Sequence, residues 1–541
     1  MSYLDTPRLH FAGTFTADPS TINNDINNYN PKNWNDLDVS WNPYGSHQWT
    51  IQCAVGGFVD QNGKFYGVKS NDPLIGASVK SVPGASGASA KLVDLDPDQQ
   101  GRTRLYGFNI QIAAAGSTSS ALVQGHFVDT ATLINLWLGR VPARRGDSAA
   151  GGAWQSVLDN LKWGDTSGSP FLQQLQQASP SGLSIRISVY GFDADSTSPT
   201  FRYGKMVGTI GPNQQGAPAH IVAPSRLLSP GGNSPMWNAP AVVDTTKKRL
   251  TIDLGNSVPD QQPGGPPMDL GTMQAAIILP NKNVPIGTIN YSQKQYLQTA
   301  GVTQLNLTSQ QADQLASNPL GILISPKGVA TVGVQENSDG ILVQVDRGSV
   351  ILNPGETATV GLYASAFGQP KAKYPASVQL VQQQGGDNNL PPDGVSFPGS
   401  VTTDQNGRAP VPIRANNPVP KPSGREFVDG QLYFIGGPWA SPADRAVGAP
   451  LTVKVFNAMK PIASPKWKDV QPILQQFYTL YAYMASIVDL SNYDSVKANA
   501  ARIKSVMELS MSDPAYMPVT REMSRDAAKL IIQWINKGAP A

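Results

Sequence analysis

The stretch GILVQVDRGSVILNPGETATVGLYA, residues 340–364, alternates apolar and polar side chains on both sides of Asn353-Pro354-Gly355. A period of two places every second side chain on one face, the pattern of a strand with one buried face, and Pro-Gly marks a turn. The same alternation returns in VSFPGSVTTDQNGRAPVPIRA, around Asn406-Gly407, and the apolar runs GQLYFIGG and LTVKVFNA supply two more strands. Several short strands with regular turns specify a β-sandwich.

The residues before this unit read as β-rich with helical inserts. Strand-like stretches fall at 49–59, 105–113, 183–191, 206–210 and 249–254, each bounded by Gly, Pro, Asn or Asp. Short helices are expected at 130–139, with Asp129 as its cap, at 153–161 and at 170–177. Residues 23–45, rich in Asn, Trp and Pro, read as a long ordered loop. From Ser464 the period changes. Ser464 can cap and Pro465 suits a first helical turn, while Val470, Ile473, Leu474, Phe477, Tyr481, Met484 and Val488 recur at helical spacing. Helices are expected over 495–509 and 525–536, the last capped by Ser524 and stopped at Gly538. The aromatic stripe at Phe477, Tyr478, Tyr481 and Tyr483 reads as core. The fold class is therefore mainly β with helical inserts: a β-rich N-terminal domain (1–300), an immunoglobulin-like β-sandwich (320–458) and a small C-terminal helical region (464–541).

Composition narrows the function classes. The chain has 541 residues, a net charge of +3 and no long basic or acidic block, so neither nucleic acid nor an anionic membrane is the expected partner. One cysteine, Cys53, excludes an intrachain disulfide and a multi-cysteine metal site. No apolar run reaches the roughly 18 residues that a membrane helix needs, and no secretion signal is visible, so a cytoplasmic location is expected. Of 38 acidic residues only five are Glu (Glu336, Glu356, Glu426, Glu508 and Glu522), and the four histidines are His10, His47, His126 and His220.

Several motifs together resemble one family. PRLHFAGTF (7–15), Leu74-Ile-Gly-Ala77, AKLVDLDPDQQGRTRLYGFNIQI (90–112), QGHFVD (124–129), FRYGKMVGTIGP (201–212), SRLLSP (225–230) and YMPVTREMS (516–524) occur in the order in which they stand in the large iminophenyl-pyruvate dimer synthases of bisindole pigment biosynthesis, the violacein and rebeccamycin chromopyrrolate synthase type. The resemblance thins through the sandwich, where 402–415, TTDQNGRAPVPIRA, resembles instead a hairpin of bacterial immunoglobulin-like domains. In the synthases a ferritin-like domain follows the counterpart of YMPVTREMS. This chain ends at Ala541, so the expectation is a protein corresponding to the part before that domain. A di-iron carboxylate bundle needs roughly four Glu and two His, with Glu-x-x-His pairs. Here Pro7, Tyr44, Val123 and Ala217 stand three residues before the histidines, so the inventory cannot build that centre. No metal site and no cofactor are expected; haem, with a histidine as axial ligand, enters only as what the resemblance implies.

The site candidates are few. His126, with Asp94 and Asp96 of LVDLDPDQQ, could form a His–carboxylate acid–base group; the plainer reading of Asp94-x-Asp96-x-Asp98 is a hydrogen-bonded turn, since it lacks the Gly and distal Glu of a calcium loop. His10 could recognise a ligand or be a structural histidine between strand neighbours. Trp34, Trp41 and Trp49, among Asn and Asp, have the composition of a sugar-stacking surface, or pin a long loop to the sheet. No nucleophile elbow, phosphate loop or dinucleotide fingerprint is present.

These readings favour a non-catalytic binding or scaffold protein, related to the N-terminal region of the bisindole-forming synthases and working with a separately encoded ferritin-like or oxidase partner. A small hydrophobic ligand and self-association fit the same reading. The alternatives are an enzyme of secondary metabolism acting on an indole or amino-acid-derived imine, and a lectin-like glycan binder. The C-terminal stripes are expected to pack on the chain's own body and leave an apolar patch around Trp534 and Tyr516.

Overall fold

The computed structural model describes residues 1–17, 48–83, 90–94, 103–116, 121–128, 131–132, 137–138, 149–193, 198–262, 264–381, 392–417, 429–439, 450–480, 482–519 and 521–541. It is mainly β with helical inserts, built around four large hydrophobic cores.

The first core fills a closed barrel. Strand Arg8–Ala17 pairs antiparallel with Tyr203–Pro212 on one side and with Trp49–Val59 on the other. The ring continues from Tyr203–Pro212 through Leu183–Asp193, Ala149–Trp163, Ala121–Phe127, Asn109–Ala113 and Ser78–Ser81 back to Trp49–Val59. Eight strands give an interior that side chains can fill. Phe11 and Phe15 do so only because Gly208 and Gly204 stand opposite them; a Cβ at either glycine would meet the ring. Thus PRLHFAGTF and FRYGKMVGTIGP are two paired strands whose large and absent side chains interlock. Helix Pro170–Ala178 adds Phe171, Leu172 and Leu175 to the same core, capped by Ser169 Oγ accepting from Leu172 N–H.

The helix expected at 153–161 is a strand, and the described part of that expected at 130–139 is also in strands. Residues 153–161 lie inside strand Ala149–Trp163, and 131–132 and 137–138 pair in strands. The spacing of four between Trp154 and Leu158 fits one face of a helix and equally one face of a strand. Pairing with Leu183–Asp193, invisible locally, decides for the strand. Asp129, the expected cap, lies outside the described residues. The helix at 170–177 and the strands at 49–59, 183–191, 206–210 and 249–254 are present, and 105–113 is split at Gly107-Phe108 between Thr103–Tyr106 and Asn109–Ala113.

The second core belongs to an eight-stranded antiparallel sheet running Lys282–Thr288, Met273–Leu279, Leu320–Ile324, Thr331–Gln335, Arg226–Pro230, Ala239–Asp244, Arg249–Asp253, Val302–Asn306. Leu320–Ile324 and Thr331–Gln335 pair here, so the strands of the sandwich begin at Ile341. Barrel and sheet share a buried polar cluster: Asp253 Oδ2 accepts from Tyr3 Oη (2.8 Å) and lies 2.7 Å from Arg186 Nε.

The third core lies between two sheets of a sandwich. Ile341–Val345, Thr357–Ala366, Arg408–Ala415 and Val395–Ser396 form one; Ser349–Leu352, Leu451–Val455, Gln431–Gly436 and Gln379–Leu380 form the other. The alternation around Asn353-Pro354-Gly355 does not make a hairpin. Gly355 takes φ +81°, and the strands on either side of the turn join opposite sheets, Ser349–Leu352 lying parallel to Leu451–Val455. In Arg408–Ala415 every second residue is buried, as its alternation requires.

The fourth core gathers the C-terminal helices Trp467–Leu480, Ala482–Ala485, Tyr493–Ala498, Ala500–Met507 and Arg525–Asn536. The helix expected over 495–509 is two, divided at Asn499. Ser524 caps the last one through Ala527 N–H. Trp534 is fully buried, its indole N–H donating to Pro540 O (2.8 Å), and Tyr516 is buried as well, so neither ring is exposed as the anchor of an apolar patch. Among the described residues no helix is long and apolar enough to cross a membrane.

Candidate functional site

The segment YMPVTREMS is where three of these units are joined. The Arg521 guanidinium lies 4.3 Å from the centre of the Tyr106 ring and 5.6 Å from that of Tyr516. It donates to the carbonyls of Met511 (3.1 Å), Asp513 (2.6 Å) and Val519. Burial lowers its pKa to about 10, which leaves it charged at neutral pH. Gly107, beside Tyr106, has φ +70°, and a Cβ there would strike Pro514. On the sandwich side Ser524 N–H donates to Asp429 Oδ2 (3.0 Å), Arg525 N–H to Asn353 Oδ1 (3.1 Å), and Arg525 Nη1 to Glu356 Oε1 (2.5 Å). Glu356 in turn accepts from the backbone N–H and Nδ2 of Asn353 (2.9 and 3.0 Å), closing the Asn353-Pro354-Gly355 turn onto the helix. Two motifs far apart in sequence, RTRLYGFNIQI and YMPVTREMS, thus meet through an arginine, two tyrosines and a glycine.

A cavity of about 550 Å³ lies at this junction. Arg104 and Tyr106 contribute from the strand Thr103–Tyr106, Arg347, Asn353 and Phe456 from the sandwich, and Met507, Met511, Tyr516, Met523, Arg525 and Ile532 from the C-terminal region. His220 also lines it, with Nδ1 2.9 Å from Gln155 O. Arg104 bridges across to the sandwich, its Nε donating to Ser349 Oγ (2.5 Å) and Nη2 to Ser349 O. Arg104, Arg347, Arg525 and Lys529 thus line the cavity, and no Asp or Glu does among the described residues. The volume and the mixture of apolar wall with a few polar groups are those of a small-molecule site.

Two further cavities include Glu336 in their lining: one of about 180 Å³ between the second sheet and the sandwich, and one of about 540 Å³ beside Ser229–Gly231 and residues 335–339. Burial pushes the Glu336 carboxyl up to about 7, against Arg226 and Leu320 N–H, which favour its charged form. Its Oε1 lies 3.4 Å from Arg226 Nε and its Oε2 accepts from Leu320 N–H (2.7 Å). Both carboxylate oxygens are thus engaged within the fold.

Of the residues singled out from sequence, His126, His10 and Trp49 line none of these cavities. His126, on Ala121–Phe127, has Nδ1 4.0 Å from Asp159 Oδ1, and both side chains are partly exposed. Asp94 ends strand Lys91–Asp94, its backbone opposite Thr103 in a separate small sheet. The carboxylate of Asp159, from the neighbouring strand, stands beside His126, and His126 lines none of the three cavities above. His10 is buried, its Nδ1 2.9 Å from Thr209 Oγ1, and burial, with the charge of Arg8 second, holds its pKa well below the ordinary histidine range. Trp49 is a core residue, stacked on Phe15 (5.0 Å) and edge-on to Trp154 (5.3 Å), so its faces are not available to a sugar. Asp96, Trp34 and Trp41 lie outside the described residues. No group of three or more His, Cys, Asp or Glu among the described residues could hold a metal ion. The junction cations were missed because they are scattered between residues 104 and 529. Only the two motifs around Tyr106 and Arg521 marked the place.

No family model matches the chain, and no curated protein matches it.

Proposed function

We propose that this chain is a non-catalytic binding protein that holds a small, largely hydrophobic ligand in the junction cavity. Oxidative chemistry on that ligand would belong to a ferritin-like or oxidase partner, as the resemblance to bisindole-forming synthases suggests. The observation that carries the reading is the cavity's lining: four cations beside methionine, leucine and isoleucine side chains, with no Asp or Glu among its described residues and its one histidine, His220, held with Nδ1 at Gln155 O. The chain's five Glu and four His, without a Glu-x-x-His pair, support the absence of a di-iron centre of its own.

The test is calorimetric titration of the full chain with small hydrophobic acids, beside Met511→Trp, which puts a bulky ring into the cavity. One site per chain, lost in the variant, with the ligand recovered unchanged, is the expected result. A Soret band, two irons per chain, or conversion of an indole-derived imine by the protein alone would overturn the non-catalytic reading.

A further inference from the structure

We infer that the junction cavity takes an acyl anion, a flexible aliphatic chain ending in a single carboxylate-like charge; this rests on the reading of that cavity as the binding site.

The charge comes first. Arg104, Arg347, Arg525 and Lys529 line the cavity. Arg525 is paired with Glu356 at 2.5 Å, Lys529 lies 3.7 Å from Asp526, and Arg347 follows Asp346, whose carboxylate feels its charge. Three of the four lining cations thus have an acid nearby and, among the described residues, Arg104 does not. A lining cation without an acid favours a ligand with an anionic group over a neutral molecule. Arg104, whose contacts here are the hydroxyl and carbonyl of Ser349, is the cation without an acid among those pairs.

An unsatisfied donor stands beside it. Tyr106 is two residues further along the same strand, hence on the same face as Arg104. Its hydroxyl is buried and has no hydrogen-bond partner. Buried polar groups are seldom left unpaired, and a ligand oxygen held by Arg104 would lie where this hydroxyl can donate to it.

The wall fixes the shape of the rest. Arg521 covers one face each of Tyr106 and Tyr516, which reduces the aromatic surface open to a ligand. The apolar part of the rest is chiefly aliphatic and thioether, with Met507, Leu509, Met511, Met523 and Ile532 beside one further ring, Phe456. Methionine side chains repack around varied shapes, which suits a flexible chain more than a rigid planar ring.

The experiment titrates the full chain with decanoate, decan-1-ol and indole-3-acetate. Decanoate should bind one per chain, at least roughly tenfold tighter than decan-1-ol, and more weakly as salt is raised. Tyr106→Phe keeps the ring under Arg521; it should weaken decanoate roughly three- to tenfold, leave decan-1-ol unchanged, and melt at the parent temperature. Equal binding of the alcohol, or tighter binding of indole-3-acetate, overturns the acyl-anion inference and leaves the cavity reading standing. Decanoate binding untouched by Met511→Trp, or no binding by any of the three, overturns the cavity reading and this inference with it.

Discussion

At the scale of single residues, Glu336 has the clearest consequence. Its carboxyl is almost fully buried and is pushed from the ordinary 4.5 up to about 7, chiefly by burial. The folded protein therefore holds a proton that the unfolded chain releases between about pH 4.5 and 7. Where the native state binds more protons, stability falls as pH rises. The loss across this window is bounded at roughly 3 kcal/mol by the size of the shift. Glu336→Gln removes the titration. Its melting temperature should vary less between pH 5 and 7 than the parent's, at a small constant cost for the altered contact with Arg226. Parallel pH profiles for the two proteins would show that Arg226 keeps Glu336 ionised throughout. No local pattern marks Glu336 in the sequence: it follows a strand as one of five Glu, and its burial is set by Arg226, about a hundred residues away.

Elements were legible where one face of one element carries the signal. Arg408–Ala415 buries every second residue, and Arg525–Asn536 begins at the serine that caps it. Legibility failed where the partner decides. Residues 153–161 read as a helix until they are paired, and Ser349–Leu352 reads as half of a hairpin until its parallel neighbour, Leu451–Val455, is known. The barrel's closure was invisible for the same reason, because nothing near Arg8–Ala17 says that it pairs on both sides. Within that closure Gly208 and Phe11 form a testable unit. Gly208→Ala places a methyl against the Phe11 ring in a filled interior and should destabilise by about 1–3 kcal/mol. Phe11→Leu alone leaves a smaller loss, and the double variant should be more stable than the sum of the two, since the shorter side chain vacates the space the methyl needs. Additive losses in denaturant melts would mean that the glycine serves the backbone and not the ring.

On the scale of the whole molecule, the site depends on a joint. Its cavity walls come from the strand Thr103–Tyr106, the sandwich and the C-terminal helices, and no one unit contains it. The joint is held by Arg521 against Tyr106 and by the fit of Pro514 over Gly107. This explains why only the place, and not the site, could be read from sequence: the motifs at 103–112 and 516–524 each carry half of a contact. Gly107→Ala tests the joint without touching a lining side chain. Its Cβ meets Pro514, and alanine is also strained at φ +70°. The cost should fall on the joint first, because the barrel, the sandwich and the helices each keep a core of their own. Hydrogen exchange followed by mass spectrometry should then show faster exchange in 507–524, with the barrel strand Leu183–Asp193 unchanged, and ligand binding should weaken in parallel. Exchange that rises equally in Leu183–Asp193 would mean that barrel and C-terminal helices unfold as one unit. Unchanged exchange at 507–524 would mean that Pro514 yields without consequence and that Arg521 alone holds the cavity closed.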